Sequence, residues 1–454
     1  MAQDSINPAT GETLASYSEL SSEQVQQILS DVDSTWQSWR HTSFAERAQP
    51  MRQIAALLRE RKAELAQLMA LEMGKPLAGG QGEVEKSAWV CEFYAEQAET
   101  YLTALPIQTE ASKSYVAFEP LGPVFAIMPW NFPLWQVFRF AAPALMAGNA
   151  GVLKHAANVQ GCALAIEALF RDAGFPEHLF RNLTIDNAGA AKVIESPVIR
   201  AVTLTGSTAA GKSVAAKAGE MLKKTVLELG GSDPYLILAD ADLEAAATAC
   251  AASRLINSGQ SCIAAKRFIV VESVKAEFER LFVAAMAKAV MGDPLDEATT
   301  LGPQARLDLR DSLDRQVRDS VSQGARCLLG GSLPDGPGAY YPATVLSDVK
   351  PGMPAYDEEI FGPVAAIIAA ADDAEAVAIA NDSIYGLGAA VFSRDSARAE
   401  AIARQLEAGC VFVNAFVASD PRLPFGGIKE SGYGRELADF GIREFVNIKT
   451  VSIK

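Results

Sequence analysis

Ile199-Arg200-Ala201-Val202-Thr203-Leu204-Thr205-Gly206-Ser207-Thr208-Ala209-Ala210-Gly211 reads as a short apolar strand, a turn of small residues and the opening of a helix. Glycine at 206 lets a ligand approach the backbone, and the free N–H groups at the start of the helix suit an anion such as a phosphate. The turn is neither G-x-G-x-x-G nor a Walker loop. It reads equally well as a strand–helix turn capped by Ser207. Repetition of the unit decides the fold. Residues 151–154, 199–205 and 224–229 read as strands, and 161–173 and 209–218 as helices. Strand–helix alternation of this kind implies right-handed crossovers, a parallel sheet and helices on both of its faces. Ligands of such sheets lie at the carboxyl ends of the strands.

The pattern continues outward. A second alternating block has strands at 235–238, 268–271, 364–370 and 389–392, and helices at 243–256 and 276–289. Residues 330–342 are rich in Gly and Pro and read as a loop before another strand. Upstream, 44–73 repeats apolar residues at helical spacing and stops at Lys75-Pro76, and 84–105 is a further helix. Residues 114–118 alternate, 124–128 form an apolar strand, and 445–453 alternate at the end of the sequence. A strand there needs an edge to pair with, which suggests a subunit contact.

The 454 residues suggest two or three domains, and 49% hydrophobic with 21% charged residues is ordinary for a globular chain. A formal charge of −15 argues against nucleic-acid and anionic-membrane partners. No apolar stretch reaches the ~20 residues of a membrane span. The first 18 residues lack the apolar core of a signal peptide. Six scattered cysteines without C-x-x-C spacing, and only three histidines, argue for a reduced, cytoplasmic protein with no metal site.

Chemistry concentrates in three segments. Asn257-Ser258-Gly259-Gln260-Ser261-Cys262 sets a thiol in a polar, Gly-containing loop suited to a cleft. The other cysteines, Cys91, Cys162, Cys250, Cys327 and Cys410, read as small buried apolar residues. Glu228 ends a strand before Gly230-Gly231 and is either a surface carboxylate or a general base with a raised pKa. In Trp130-Asn131-Phe132-Pro133 the asparagine reads as a cap, or as an amide donor to an oxyanion.

Together these segments resemble the aldehyde dehydrogenase superfamily, from Ile6-Asn7-Pro8-Ala9-Thr10-Gly11-Glu12 to Pro424-Phe425-Gly426-Gly427-Ile428-Lys429 with Ser431-Gly432. Glu359-Ile360-Phe361-Gly362-Pro363 matches a further family motif. The resemblance implies an α/β fold with a Rossmann-like dinucleotide-binding domain (1–105 and 128–233), an α/β catalytic domain (234–436) and small β bridging elements (106–127 and 437–454). It implies NAD or NADP as cofactor, an aldehyde substrate, and a homodimer or homotetramer. The implied catalytic residues are Cys262 as nucleophile, Asn131 with the Cys262 N–H as oxyanion donors, and Glu228 as the base that activates water. The implied cofactor contacts are Lys154, Gly206, Ser207, Glu359, Phe361 and Trp130.

Within the superfamily the chain is most similar to bacterial succinate-semialdehyde dehydrogenases. That similarity implies substrate contacts at Arg139, Trp135, Phe132 and Ser419, with the Arg139 guanidinium taking a distal carboxylate. A medium-chain or aromatic aldehyde dehydrogenase is the alternative. A non-catalytic binding protein on the same scaffold is opposed by the intact Cys262, Glu228 and Asn131. Three positions depart from relatives. Lys154-His155-Ala156-Ala157 lacks the glutamate that repels a 2′-phosphate, so NADP is tolerated. Ile256 stands where some relatives carry a second tunnel arginine. Ala264 replaces a second cysteine, which removes an adjacent disulfide switch.

Overall fold

The computed structural model describes residues 2–454. Two large sheets carry the alternating blocks. The first runs Gly432–Tyr433, Lys224–Glu228, Ala201–Thr205, Pro123–Met128, Ala150–His155 and Phe180–Asn182. All its pairings are parallel except that of Gly432–Tyr433 with Lys224–Glu228. Its inner strands Ala201–Thr205, Pro123–Met128 and Ala150–His155 are buried along nearly their whole length, as strands covered on both faces are. In chain order the five parallel strands stand as 5-4-1-2-3, so the winding reverses between Pro123–Met128 and Ala201–Thr205. A crevice opens beyond the carboxyl ends at such a reversal.

The second sheet has seven strands: Arg326–Leu329, Thr344–Ser347, Val364–Ala370, Arg267–Val271, Pro234–Ile237, Gly388–Phe392 and Cys410–Val413. A three-stranded sheet joins Val446–Ile453, Lys113–Pro120 and Leu105–Pro106. The terminal strand therefore finds its partner within its own chain, from Val446 opposite Pro120 to Ile453 opposite Lys113. Its outer edge carries the exposed Ile448 and Ile453.

Several sequence expectations are corrected. Residues 44–73 form two helices, Phe44–Glu60 and Lys62–Met73, because the backbone leaves helical geometry at Arg61. A Ser43/Glu46 capping box starts the first, and Gly74 at φ +78° ends the second. The bridging segment expected at 106–127 stops at Pro120. Beyond Gly122 the chain enters Pro123–Met128, whose Val124, Phe125 and Ala126 lie in the middle of the first sheet. Gly432–Tyr433, expected in the catalytic block, pairs with the first sheet. The polar first 18 residues hold an unexpected antiparallel pair, Ala2–Ile6 with Thr13–Ser18. Cys327 is exposed and Cys410 half-buried, against the expectation of burial. Arg326–Leu329 is an edge strand, so one side of Cys327 has no neighbour.

Candidate active site

The crevice at the winding reversal is a groove of about 400 Å³. Pro129, Trp130 and Asn131 follow one strand into it, and Thr205, Gly206 and Ser207 follow the other. Ser207 caps the helix Thr208–Glu220, its Oγ accepting from the Ala210 N–H at 3.3 Å. Glu359 and Phe361 come from the second sheet's side. The Glu359 carboxylate accepts from the Gly231 N–H at 3.0 Å, with the Lys266 ammonium 3.8 Å away. A Cβ on Gly230 would collide with that carboxylate, so this glycine is needed for the approach. Trp130 and Phe361 meet edge to face at 5.8 Å.

Cys262 stands at the inner end of the groove and faces a second cavity of about 470 Å³ on its other side. Of the described residues it alone lines both. Its loop is held in a strained shape. Asn257 (φ 52°), Ser258 (φ 56°) and Gly259 (φ 77°) are successive left-handed residues. Buried cations fix the loop's carbonyls. Lys266 Nζ donates to Ser261 O (3.0 Å), Cys262 O (2.8 Å) and Ala264 O (3.1 Å), and Arg254 Nη2 donates to Gly259 O (2.6 Å). Asn131 Nδ2 donates to Gln260 O at 3.1 Å, and Asn257 Nδ2 to Asn131 O at 2.6 Å. An amide nitrogen carries two protons, so Asn131 keeps one to offer. Burial pushes the Cys262 thiol up to about 12, although Arg139 and Lys266 favour the thiolate.

The second cavity is walled by Phe132, Trp135, Gln136 and Arg139 from one side and Val417, Ala418, Ser419 and Phe425 from another. A buried ion pair, Lys75 with Glu83, braces it. Lys75 Nζ donates to Asn131 O at 2.9 Å, and Glu83 accepts from the Leu134 (2.8 Å) and Trp135 (3.0 Å) N–H groups that open the helix Trp135–Met146. Arg139 is buried against Glu436, donates to Thr205 Oγ1 at 3.3 Å, and stacks 4.9 Å from the Phe425 ring centroid. Both carboxyl oxygens of Glu228 are buried without a hydrogen-bond partner. Burial, then the neighbouring Glu436, push this carboxyl well above the usual range, against Arg139 and Arg435.

A thiol between a groove at a dinucleotide-type reversal and a lined cavity is an arrangement for oxidising something covalently held on sulfur. The sequence matches the aldehyde dehydrogenase family over residues 1–451. The chain belongs to that family. It is 50% identical over 447 residues to the succinate semialdehyde dehydrogenase [NAD(P)+] Sad of Escherichia coli strain K12, covering 98% of this chain and 97% of the other. It is also 50% identical over 453 residues to a probable succinate-semialdehyde dehydrogenase [NADP(+)] of Synechocystis, with both chains covered in full. Among solved structures, succinic semialdehyde dehydrogenase from Streptococcus pyogenes in complex with NADP+ superposes with a TM-score of 0.97 at 37% identity, covering 100% of each chain.

In this aldehyde dehydrogenase the structure gathers most of the residues singled out from sequence. Trp130, Asn131, Gly206, Ser207, Glu359 and Phe361 line the groove with Cys262, and Phe132, Trp135, Arg139 and Ser419 line the cavity. Three positions differ from expectation. Lys154 is not in the groove wall; it is half-buried on its strand, within the fields of Asp186 and Glu19. Glu228 lines neither space, because its carboxyl packs where a Gly426 Cβ would stand, 2.7 Å away. Arg139 is not a free cation, because Glu436 already neutralises it. Sequence reading missed Lys75, Glu83, Lys86, Lys266 and Glu436. Nothing local marks them, since each acts through a partner brought close by folding.

Proposed function

We propose that this enzyme oxidises succinate semialdehyde to succinate with NAD or NADP, through a thioester on Cys262. The observation that carries the reading is that Cys262 alone fronts both the groove and the cavity. The relatives' names support the substrate and both cofactors. Trp130, Gly206, Ser207, Glu359 and Phe361 hold the nicotinamide dinucleotide, which when bound accepts the hydride. Gly206 and the capped helix behind Ser207 suit the pyrophosphate, and the Glu359 carboxylate suits ribose hydroxyls.

The Cys262 thiol gives up its proton to solvent in the cavity that it lines, and its sulfur bonds the aldehyde carbon as the carbonyl π bond breaks to leave an oxyanion. Arg139 and Lys266 favour the thiolate by charge. The new oxyanion takes the spare Asn131 amide proton and the Cys262 N–H. Loss of hydride leaves a thioester. Glu228, whose carboxyl burial pushes up, is a strong proton acceptor when ionised and draws a proton from the water whose oxygen bonds the thioester carbon, the Cys262 sulfur leaving as the acid is released. That step requires the side chain to turn from Gly426 toward Cys262. Phe132, Trp135, Arg139 and Ser419 receive the rest of the substrate. The exposed edge of Val446–Ile453 serves a homodimer or homotetramer, in the cytoplasm. No helix among the described residues is long and apolar enough to cross a membrane.

The test is formation of reduced cofactor from succinate semialdehyde and from butanal, each with NAD and NADP, with Cys262→Ala as control. Turnover of succinate semialdehyde at no better kcat/KM than butanal refutes the substrate. Undiminished activity of Cys262→Ala refutes the mechanism.

A further inference from the structure

Lys86, on the helix Leu77–Leu102, reaches the cavity that Cys262 lines. Its ammonium donates to Ser419 Oγ at 2.7 Å and lies 4.4 Å from the Trp135 ring centroid. Among the described residues it makes no ion pair. The charges around it are engaged elsewhere. Glu83, on its own helix, is paired with Lys75. Asp420, in the loop beside Ser419, holds Arg422 through both oxygens. Arg139, on the helix Trp135–Met146, is closed by Glu436. Glu297 also lines the cavity but is exposed to solvent. Of the three cations in this wall, Lys75, Lys86 and Arg139, only Lys86 lacks a fixed counterion. A half-buried ammonium without one gains from any anion brought to it.

We propose that Lys86, together with the Ser419 hydroxyl, binds the distal carboxylate of an ω-carboxy aldehyde and thereby sets the substrate class. The assignment rests on the reading above that the substrate carries such a carboxylate. Arg139 then acts as a positioning residue, holding Glu436 in the cavity wall. Burial, then Arg139, push Lys86 down to about 8, so it is largely ionised at neutral pH and discharges just above it.

The experiment reads the ratio of kcat/KM for succinate semialdehyde to that for butanal. In Lys86→Met, and in Lys86→Gln should the first fail to fold, the ratio is expected to fall about 10- to 100-fold, the range for losing a hydrogen bond to a charged group. Lys86→Arg is expected to restore most of it, a rescue that a purely packing role would not give. In the wild type the ratio falls as pH rises through about 8, and in Lys86→Met it stays flat. A wild-type preference for succinate semialdehyde that survives Lys86→Met overturns this assignment alone. So does an equal loss on both aldehydes. A wild type without that preference overturns the substrate reading and this assignment with it.

Discussion

Glu83 is the hinge pin of the site, and Glu83→Gln measures it. Its carboxylate neutralises the Lys75 ammonium, and both side chains are almost fully buried. It also accepts from the first two N–H groups of the helix that carries Trp135, Gln136 and Arg139. The variant keeps one acceptor oxygen but leaves an ammonium buried without a counter-charge, an arrangement that costs about 3–5 kcal/mol. Lys75→Met/Glu83→Gln removes both charges, and recovery of most of that loss is expected, because no unpaired charge stays buried and the Gln oxygen still accepts from the Leu134 and Trp135 N–H groups. Urea unfolding followed by tryptophan fluorescence reads the free energies. Activity supplies a second readout. Lys75 holds Asn131 O, so both variants are expected to lower kcat for succinate semialdehyde and for butanal alike. A Glu83→Gln variant that loses under about 1 kcal/mol, or a double variant as unstable as the sum of the singles, refutes the argument.

In cofactor-free enzyme, alkylation of Cys262 by iodoacetamide is expected to rise about tenfold per pH unit from about pH 7 to about pH 10, because the thiol ionises only near 12. Peptide mass spectrometry separates it from the exposed Cys327, and a plateau near pH 8 contradicts the burial argument. His155 accepts from the Ala156 N–H through Nδ1 (3.0 Å), so its Nε2–H donates to Pro133 O (2.9 Å). Burial lowers this histidine from 6.5 to about 4. The unfolded chain therefore binds the extra proton between those values, and stability drops by about 3 kcal/mol as pH falls through the window. The difference in unfolding free energy between wild type and His155→Gln is expected to carry that slope; parallel curves contradict it. Ala157 is exposed just past the strand bearing Lys154. Ala157→Glu is expected to lower kcat/KM for NADP about tenfold or more relative to NAD, by charge repulsion of a 2′-phosphate. An unchanged cofactor ratio removes Ala157 from the cofactor site.

Most of the α/β framework was legible because the signals of strand and helix are local. The run 364–370 is the strand Val364–Ala370 itself, and Ser207 caps its helix as the turn chemistry suggests. Failures came where a neighbour overrode the pattern. The single helix expected at 44–73 breaks at a residue without a breaking signal. The short polar pair at the N-terminus exists because Gln3 and Ser5 bind Ile185 and Glu72 far along the chain. Cys327 precedes Leu328 and Leu329, as a core cysteine could, but sits on an edge strand.

The sequence by itself determined the family, the strand–helix alternation that makes a parallel sheet, and a thiol in a glycine-containing loop, since periodicity, turn residues and motif order are properties of neighbouring positions. Tertiary structure decided which charges are free. Arg139 meets Glu436, Glu83 caps a helix 51 residues away, and Lys86 reaches Ser419 across 333. Whether a buried cation is neutralised or waits for a substrate depends on which carboxylate folding places within a few ångströms, and separation along the chain carries no record of that distance.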